Sequence, residues 1–261
     1  MSSGAAPRSR FDWRGFVVPV LLVITAQVAA VVTHLQSDSL AAPSEILVAG
    51  IEALMDGTVL RATRDTLIMA LSGLAIGVAI GLFLGLLLGL SRIADRLMEF
   101  SIEAFRPIPS VALIPVAMLV YGFGYRMEIS IVAFATAWPM LLFTRSAVGS
   151  IEPRLVEVSR ALGFGVLARV WKIILPAALP RIFVAFRLAV GIALIVAVTV
   201  EIAANPYGLG YTMMVAQQSL RPGLMFAILI WIGLIGWFLN ALMIWAQHRL
   251  FGPAAMTAVQ L

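Results

Sequence analysis

Six apolar runs, separated by short polar segments, set the first expectation for this chain: roughly Phe16–Val32, Thr66–Leu90, Ile108–Tyr121, Ile129–Thr144, Ile182–Ala203 and Leu224–Trp245. A helix needs about 17–25 residues to cross a bilayer. The pattern therefore predicts an all-α membrane protein with about six transmembrane helices, the third and fourth runs being short. Between the fourth and fifth runs the pattern changes. Leu155, Val158 and Leu162 recur on one helical face while Arg154, Glu157 and Arg160 fall on others, the spacing of a short amphipathic helix. Pro153 suits its first turn, and Gly163 suits a C-cap where φ must turn positive. A second apolar stripe follows through Leu167, Val170, Trp171 and Ile174, with Arg169 and Lys172 on the polar side. Pro176 and Pro180 are then expected to break the helix before the fifth run.

The remaining punctuation adds detail. Pro43 or Ser44 starts a short amphipathic helix between the first two runs, lying on the membrane surface or on the bundle. The second run carries Gly73, Gly77, Gly81, Gly85 and Gly89, one in every four residues. Small residues at that spacing let helix backbones approach closely. Pro107, Pro109 and Pro115 predict a bent third span, and Trp138-Pro139 a similar break in the fourth. Asn205-Pro206-Tyr207-Gly208-Leu209-Gly210 is a turn cluster.

Composition strengthens the membrane reading. Of 261 residues, 62% are hydrophobic and 12% charged, and mean hydropathy is +1.03; soluble domains hold about twice that share of charge. With no cysteine and only two histidines, disulfides, thiolate chemistry and a histidine-rich metal site are excluded. The net charge of +5 follows from the Lys and Arg that inward-facing loops collect, so it does not point to nucleic acid. With the N-terminus inside, the inward segments hold 13 Lys and Arg against 4 outside, and Arg187 lies within a span. That count places both termini, and the amphipathic stretch, in the cytoplasm. The organisation expected is a cytoplasmic tail over residues 1–15, a transmembrane domain over 16–252 containing the loop at about 150–181, and a second tail over 253–261.

Enzyme chemistry has no foothold. The chain lacks a G-x-x-x-x-G-K-[ST] loop, a G-x-S-x-G elbow and an H-E-x-x-H helix. Ionisable groups within the spans are costly and usually face protein or water; here they are Arg187 and Glu201, with Arg145 at an inner end. Those three, together with Trp138, Met213 and Gln217, are the candidates for a translocation pathway. No catalytic or metal-ligating residue is expected.

The stretch from Glu157 to Pro176 resembles the EAA loop of inner-membrane permease subunits of ABC importers. Glu157, Gly163 and Ile174-Leu175-Pro176 match that motif, while Val158 and Ser159 stand where two alanines are usual. Ala104–Pro115, the segment from Phe186, Val200–Ala204 and Gly208–Tyr211 resemble the nitrate/sulfonate/taurine-type branch. The resemblance implies a type I importer fold in which the loop forms a coupling helix on an ATPase, through Leu155, Glu157, Val158, Ser159, Arg160, Leu162, Gly163 and Pro176. It further implies two cytoplasmic ATP-binding subunits, a second permease subunit and an extracytoplasmic solute-binding protein. No cofactor is expected on this chain, since ATP and Mg belong to the ATPase. The expected cargo is a small organic anion. Of the alternatives, a stand-alone secondary transporter or channel lacks a convincing inverted repeat, and a membrane-embedded enzyme lacks a catalytic cluster.

Overall fold

The computed structural model describes residues 14–33, 37–152, 154, 157, 159 and 161–252, and among these no strand occurs. The elements are α1 (Arg14–Val32), α2 (Pro43–Met55), α3 (Thr58–Leu90), α4 (Arg92–Phe105), a 3₁₀ turn (Ser110–Leu113) leading into α5 (Ile114–Tyr121), and α6 (Tyr125–Gly149). After the loop come α7 (Val166–Arg169), a π-helical segment (Val170–Ile174), α8 (Leu175–Ala203), α9 (Gly208–Gln218) and α10 (Pro222–Phe251). The two expected tails lie outside the described residues, apart from the first residues of α1.

Four helices are long and apolar enough to cross a membrane: α3, α6, the helix running from Leu167 to Ala203, and α10. The expected third span takes a different form. Rather than one helix over Ile108–Tyr121, α4 and the segment Ser110–Tyr121 meet at a bend of 82° and reach membrane length only together. The cause is local. Pro107 and Pro109 disfavour helical conformation in the residues before them, so α4 ends at Phe105 and the chain restarts in a 3₁₀ turn. Ser91 caps α4, its hydroxyl accepting from the Ala94 N–H at 3.3 Å. In α1 the described apolar helix, Val17–Val32, is shorter than the other four.

The centre of the bundle is α3 packed along α6, with α8 against both. Glycine makes the first contact possible. A Cβ at Gly73, Gly81, Gly85 or Gly89 would come within 2.5–2.7 Å of the Cβ of Val132, Met140, Thr144 or Val148. Gly77 faces Thr136 in the same way, and the Thr136 hydroxyl turns back to the Val132 carbonyl at 2.8 Å. Both rows advance by four residues, so the drift away from 3.6 is shared by the two helices and they stay meshed. In α8 a comparable row of Ala185, Ala189, Ala193 and Ala197, all buried, faces the same core. The expected amphipathic helix is α2. It begins at Pro43, with Glu45 accepting from the Ala42 N–H at 3.0 Å, and it docks on the start of α10, where Gly50 faces Ala227 and Gly223 faces Glu45.

The expected helix break at Pro176 and Pro180 does not occur. The Leu175 N–H donates to the carbonyl of Val170, five residues back, and the wider turn hands over directly to α8. Pro176 then falls in the first turn of α8, where a missing N–H costs little, and Pro180 sits inside the helix. An internal proline costs about 3 kcal/mol in isolation. Burying Ala178, Ile182 and Ala185 between neighbouring helices outweighs it, as membrane bundles commonly allow. Helix therefore runs without interruption from the loop to the opposite end of the bundle.

Candidate functional site

Two regions concentrate polar chemistry: the end of the bundle that bears the 150–166 loop, and the far end. At the loop end Arg154, Glu157 and Ser159 have helical backbone; Leu155, Val158 and Arg160 lie outside the described residues. Gly163 has φ +70°, and the Phe164 N–H donates to the Ser159 carbonyl at 3.0 Å. This six-residue closure is a Schellman C-cap, the role its position in the sequence predicts. Ser159 is buried, whereas Glu157 is exposed. The turn is held from the following helix: the Lys172 Nζ stands 5.3 Å above the Phe164 ring, and Arg169 donates to the Phe164 carbonyl at 3.3 Å. Leu162, Leu167 and Trp171 are more than half exposed. The loop thus offers apolar side chains outward on a fixed turn, with the Glu157 carboxylate also exposed. Pro176 lies directly behind it at the head of α8.

Arg145, at the same end of α6, is bound within the chain. Its Nε lies 2.5 Å from Asp95 Oδ1 and its Nη2 donates to Oδ2 at 3.0 Å, which clamps α4 to α6. Arg181 donates to the Ser150 hydroxyl and ties the start of α8 to the end of α6. Arg187 donates to Asn240 at 3.1 Å, linking α8 to α10. Trp138 lies between the two ends, edge-on to Phe134 with ring centroids 5.6 Å apart. Its buried Nε1 has no acceptor among the described residues. It borders a cavity of about 570 Å³ whose walls are mostly apolar, with Arg126, Ser130 and Tyr121 also lining it. It also borders a second cavity of about 370 Å³ on the α8 side.

At the far end the structure brings together groups that are distant in sequence. Glu201, Glu128, Asn205 and Thr66 are all buried, at 1% exposure or less. Glu201 Oε2 accepts from the Gly210 N–H at 2.7 Å, and the Thr66 hydroxyl accepts from the Leu209 N–H at 2.9 Å. Those two donors belong to the first turn of α9, where helix N–H groups lack partners of their own; Tyr207, at the N-cap, contributes no side-chain bond. The carboxylate therefore meets the positive end of a helix, and among the described residues it forms no salt bridge. Gly208, with φ +91°, is required here because a Cβ would overlap the Glu201 carboxylate. At Gly210 it would stand 2.8 Å from the Glu201 Cβ. Beside this cap Asn205 donates to Glu128 Oε2 at 2.5 Å and to the Met69 sulfur at 3.2 Å.

Of the proposed pathway residues at this end, Met213 packs with the apolar cluster of Ala53, Val59 and Ile228, while Gln217 is exposed. Sequence reasoning missed Thr66, Glu128 and Asn205. Glu128 was legible in principle: a span drawn from Ile129 leaves it outside, but α6 starts at Tyr125 and carries it in.

The described helices match solved transporters. The inward-facing MetNI methionine ABC transporter aligns with a TM-score of 0.66 at 21% identity, over 73% of this chain and 94% of the other, which fixes the fold as that of a type I importer permease. The family model described as "binding-protein-dependent transport system inner membrane component" matches residues 77–252. The chain belongs to that family. It is an ABC importer inner-membrane permease, and its relatives place it near the nitrate, sulfonate and taurine branch. The permease SsuC of Escherichia coli (strain K12), named for aliphatic sulfonate transport, is 34% identical over 84% of this chain and 83% of its own length. The taurine transport system permease TauC of the same strain is 26% identical over 78% of this chain and 74% of its own.

Proposed function

We propose that this permease forms the membrane pathway of an ATP-driven importer for a small organic anion of the sulfonate type. Two cytoplasmic ATPase subunits dock on the loop at about 150–181, and a second copy of this chain completes the pathway. An extracytoplasmic binding protein delivers the cargo, and both termini lie in the cytoplasm. The observation that carries this reading is the loop end itself. Leu162, Leu167 and Trp171 point outward from a turn closed by Gly163, and an unbroken helix leads from there across the bundle. An amphipathic segment with exposed apolar anchors suits helix-in-groove docking, with Glu157 offering a carboxylate to the partner; the motif resemblance extends the same role to Leu155, Val158 and Arg160. On this reading ATP and Mg are held by the partner, in keeping with a sequence that carries no nucleotide loop.

The sulfonate class rests on the similarity to SsuC and TauC. Trp138 is the best placed of the proposed pathway residues, because it borders two cavities. The test is uptake of labelled taurine, an alkanesulfonate and nitrate into proteoliposomes holding the permease, its ATPase and its binding protein. Glu157→Lys and Gly163→Pro are expected to lower ATP-dependent uptake at least tenfold, which is about 1.4 kcal/mol or more in the barrier to transport. Undiminished uptake with the ATPase still bound removes the docking role.

A further inference from the structure

The far-end cap has a mechanical meaning that the transport reading alone does not supply. Helix α9 lies at the far end against α3, α8 and α10. Its connection to α8 is short, running from Ala204 to Tyr207. Two side chains from outside the helix close its first turn: Thr66 from α3 and Glu201 from the last turn of α8. Of these, Glu201 Oε2 accepts the shorter bond, 2.7 Å against 2.9 Å for the Thr66 hydroxyl, and Gly208 and Gly210 leave it room. A cavity of about 440 Å³ opens beside the joint, lined by Glu201, Asn205, Tyr211, Met214 and Phe123. The helix that ends in Glu201 begins at the loop.

We infer that Glu201 is a positioning residue that fastens α9 to α8, so that displacement entering α8 at the loop end changes the cavity beside α9 at the far end. The inference rests on the proposed ATPase docking. It explains why a buried carboxylate sits where, among the described residues, no cation pairs with it: the group grips a helix terminus that must follow α8.

Because the chain has no cysteine, an introduced reporter is its single thiol, and the same complex without a reporter gives the background. The experiment uses the complete complex in proteoliposomes, with Met214→Cys reporting the far-end cavity and Gly165→Cys the loop, where a Cβ meets nothing within 4 Å. Maleimide labelling rates are compared without nucleotide and with ATP trapped on the ATPase. In the parent both reporters are expected to change rate, Met214→Cys by about fivefold, the low end of ordinary coupling between distant sites. In Glu201→Ala the change at Met214→Cys is expected to disappear while Gly165→Cys still responds. A misfolded chain would lose both responses, so the split separates joint from fold. Glu201→Gln keeps the shape and an acceptor oxygen, and is expected to keep more of the far-end response than Glu201→Ala. A response at the parent level in both variants overturns the inference and leaves transport standing. A parent in which neither reporter responds overturns the transport reading and the inference with it.

Discussion

Leu220 closes α9 in a backbone conformation that L-residues avoid. Its φ is +53°, and the Arg221 N–H donates to the Ala216 carbonyl at 2.9 Å, the six-residue closure that elsewhere in this chain Gly163 provides. Leu220 is 60% exposed, so its side chain contributes little packing to offset the steric cost of that region. Leu220→Gly is therefore expected to stabilise the protein by about 1 kcal/mol. The check is a thermal unfolding curve in detergent, which should move upward for Gly and stay below the parent for Leu220→Val, whose β-branch is worse at positive φ. The contrast between Gly163 and Leu220 also shows which residues speak in a sequence. A glycine after an apolar stripe announces a C-cap, whereas a leucine doing the same work is silent.

At the scale of elements the two meshed rows on α3 and α6 decide stability. Gly81→Leu would drive a side chain into the Met140 Cβ and the Ala137 carbonyl, and overpacking of this kind costs about 1–3 kcal/mol or more where backbone cannot give. The expected result is loss of monodisperse protein on gel filtration, while Ile80→Leu, one residue away on a half-exposed face, leaves the profile unchanged. Much of this was legible beforehand, because glycine every four residues specifies close helix contact whatever the partner. Three elements were not. Pro107 and Pro109 do predict a bent third span, but the 82° turn joins Ser110–Tyr121 to α4, which lies outside the apolar run. The break expected at Trp138-Pro139 does not occur, since α6 runs from Tyr125 to Gly149 with Pro139 inside it. Pro176 and Pro180 were read as breakers because local propensity says so; a π turn and the buried face of α8 overrule it. Glu201 could be picked out as a carboxylate in lipid, yet its partners at 66, 208 and 210 belong to other elements or to a turn whose geometry no spacing rule gives.

For the molecule as a whole, the loop end exposes apolar surface that a partner should cover. Trp171 is 64% exposed, so its indole emits from a wet environment in the isolated permease. Docking of the ATPase is expected to shift tryptophan emission to the blue, and the shift should be lost in Trp171→Phe while binding persists. Titration of the ATPase into detergent-solubilised permease, followed by fluorescence and by sedimentation, checks both parts. An unchanged shift in Trp171→Phe places the contact elsewhere. Arg145, clamped to Asp95, and Arg187, bonded to Asn240, brace neighbouring helices at this scale.

The paired rows of α3 and α6 also limit how this sequence can change over generations. Where a glycine at 81 faces a methionine at 140, neither position is free to grow alone, and a methyl gained on one helix must be surrendered on the other. Descendants of this chain should therefore exchange size between 73 and 132, 81 and 140, 85 and 144, and 89 and 148, drifting in couples while the lipid-facing positions between them wander independently.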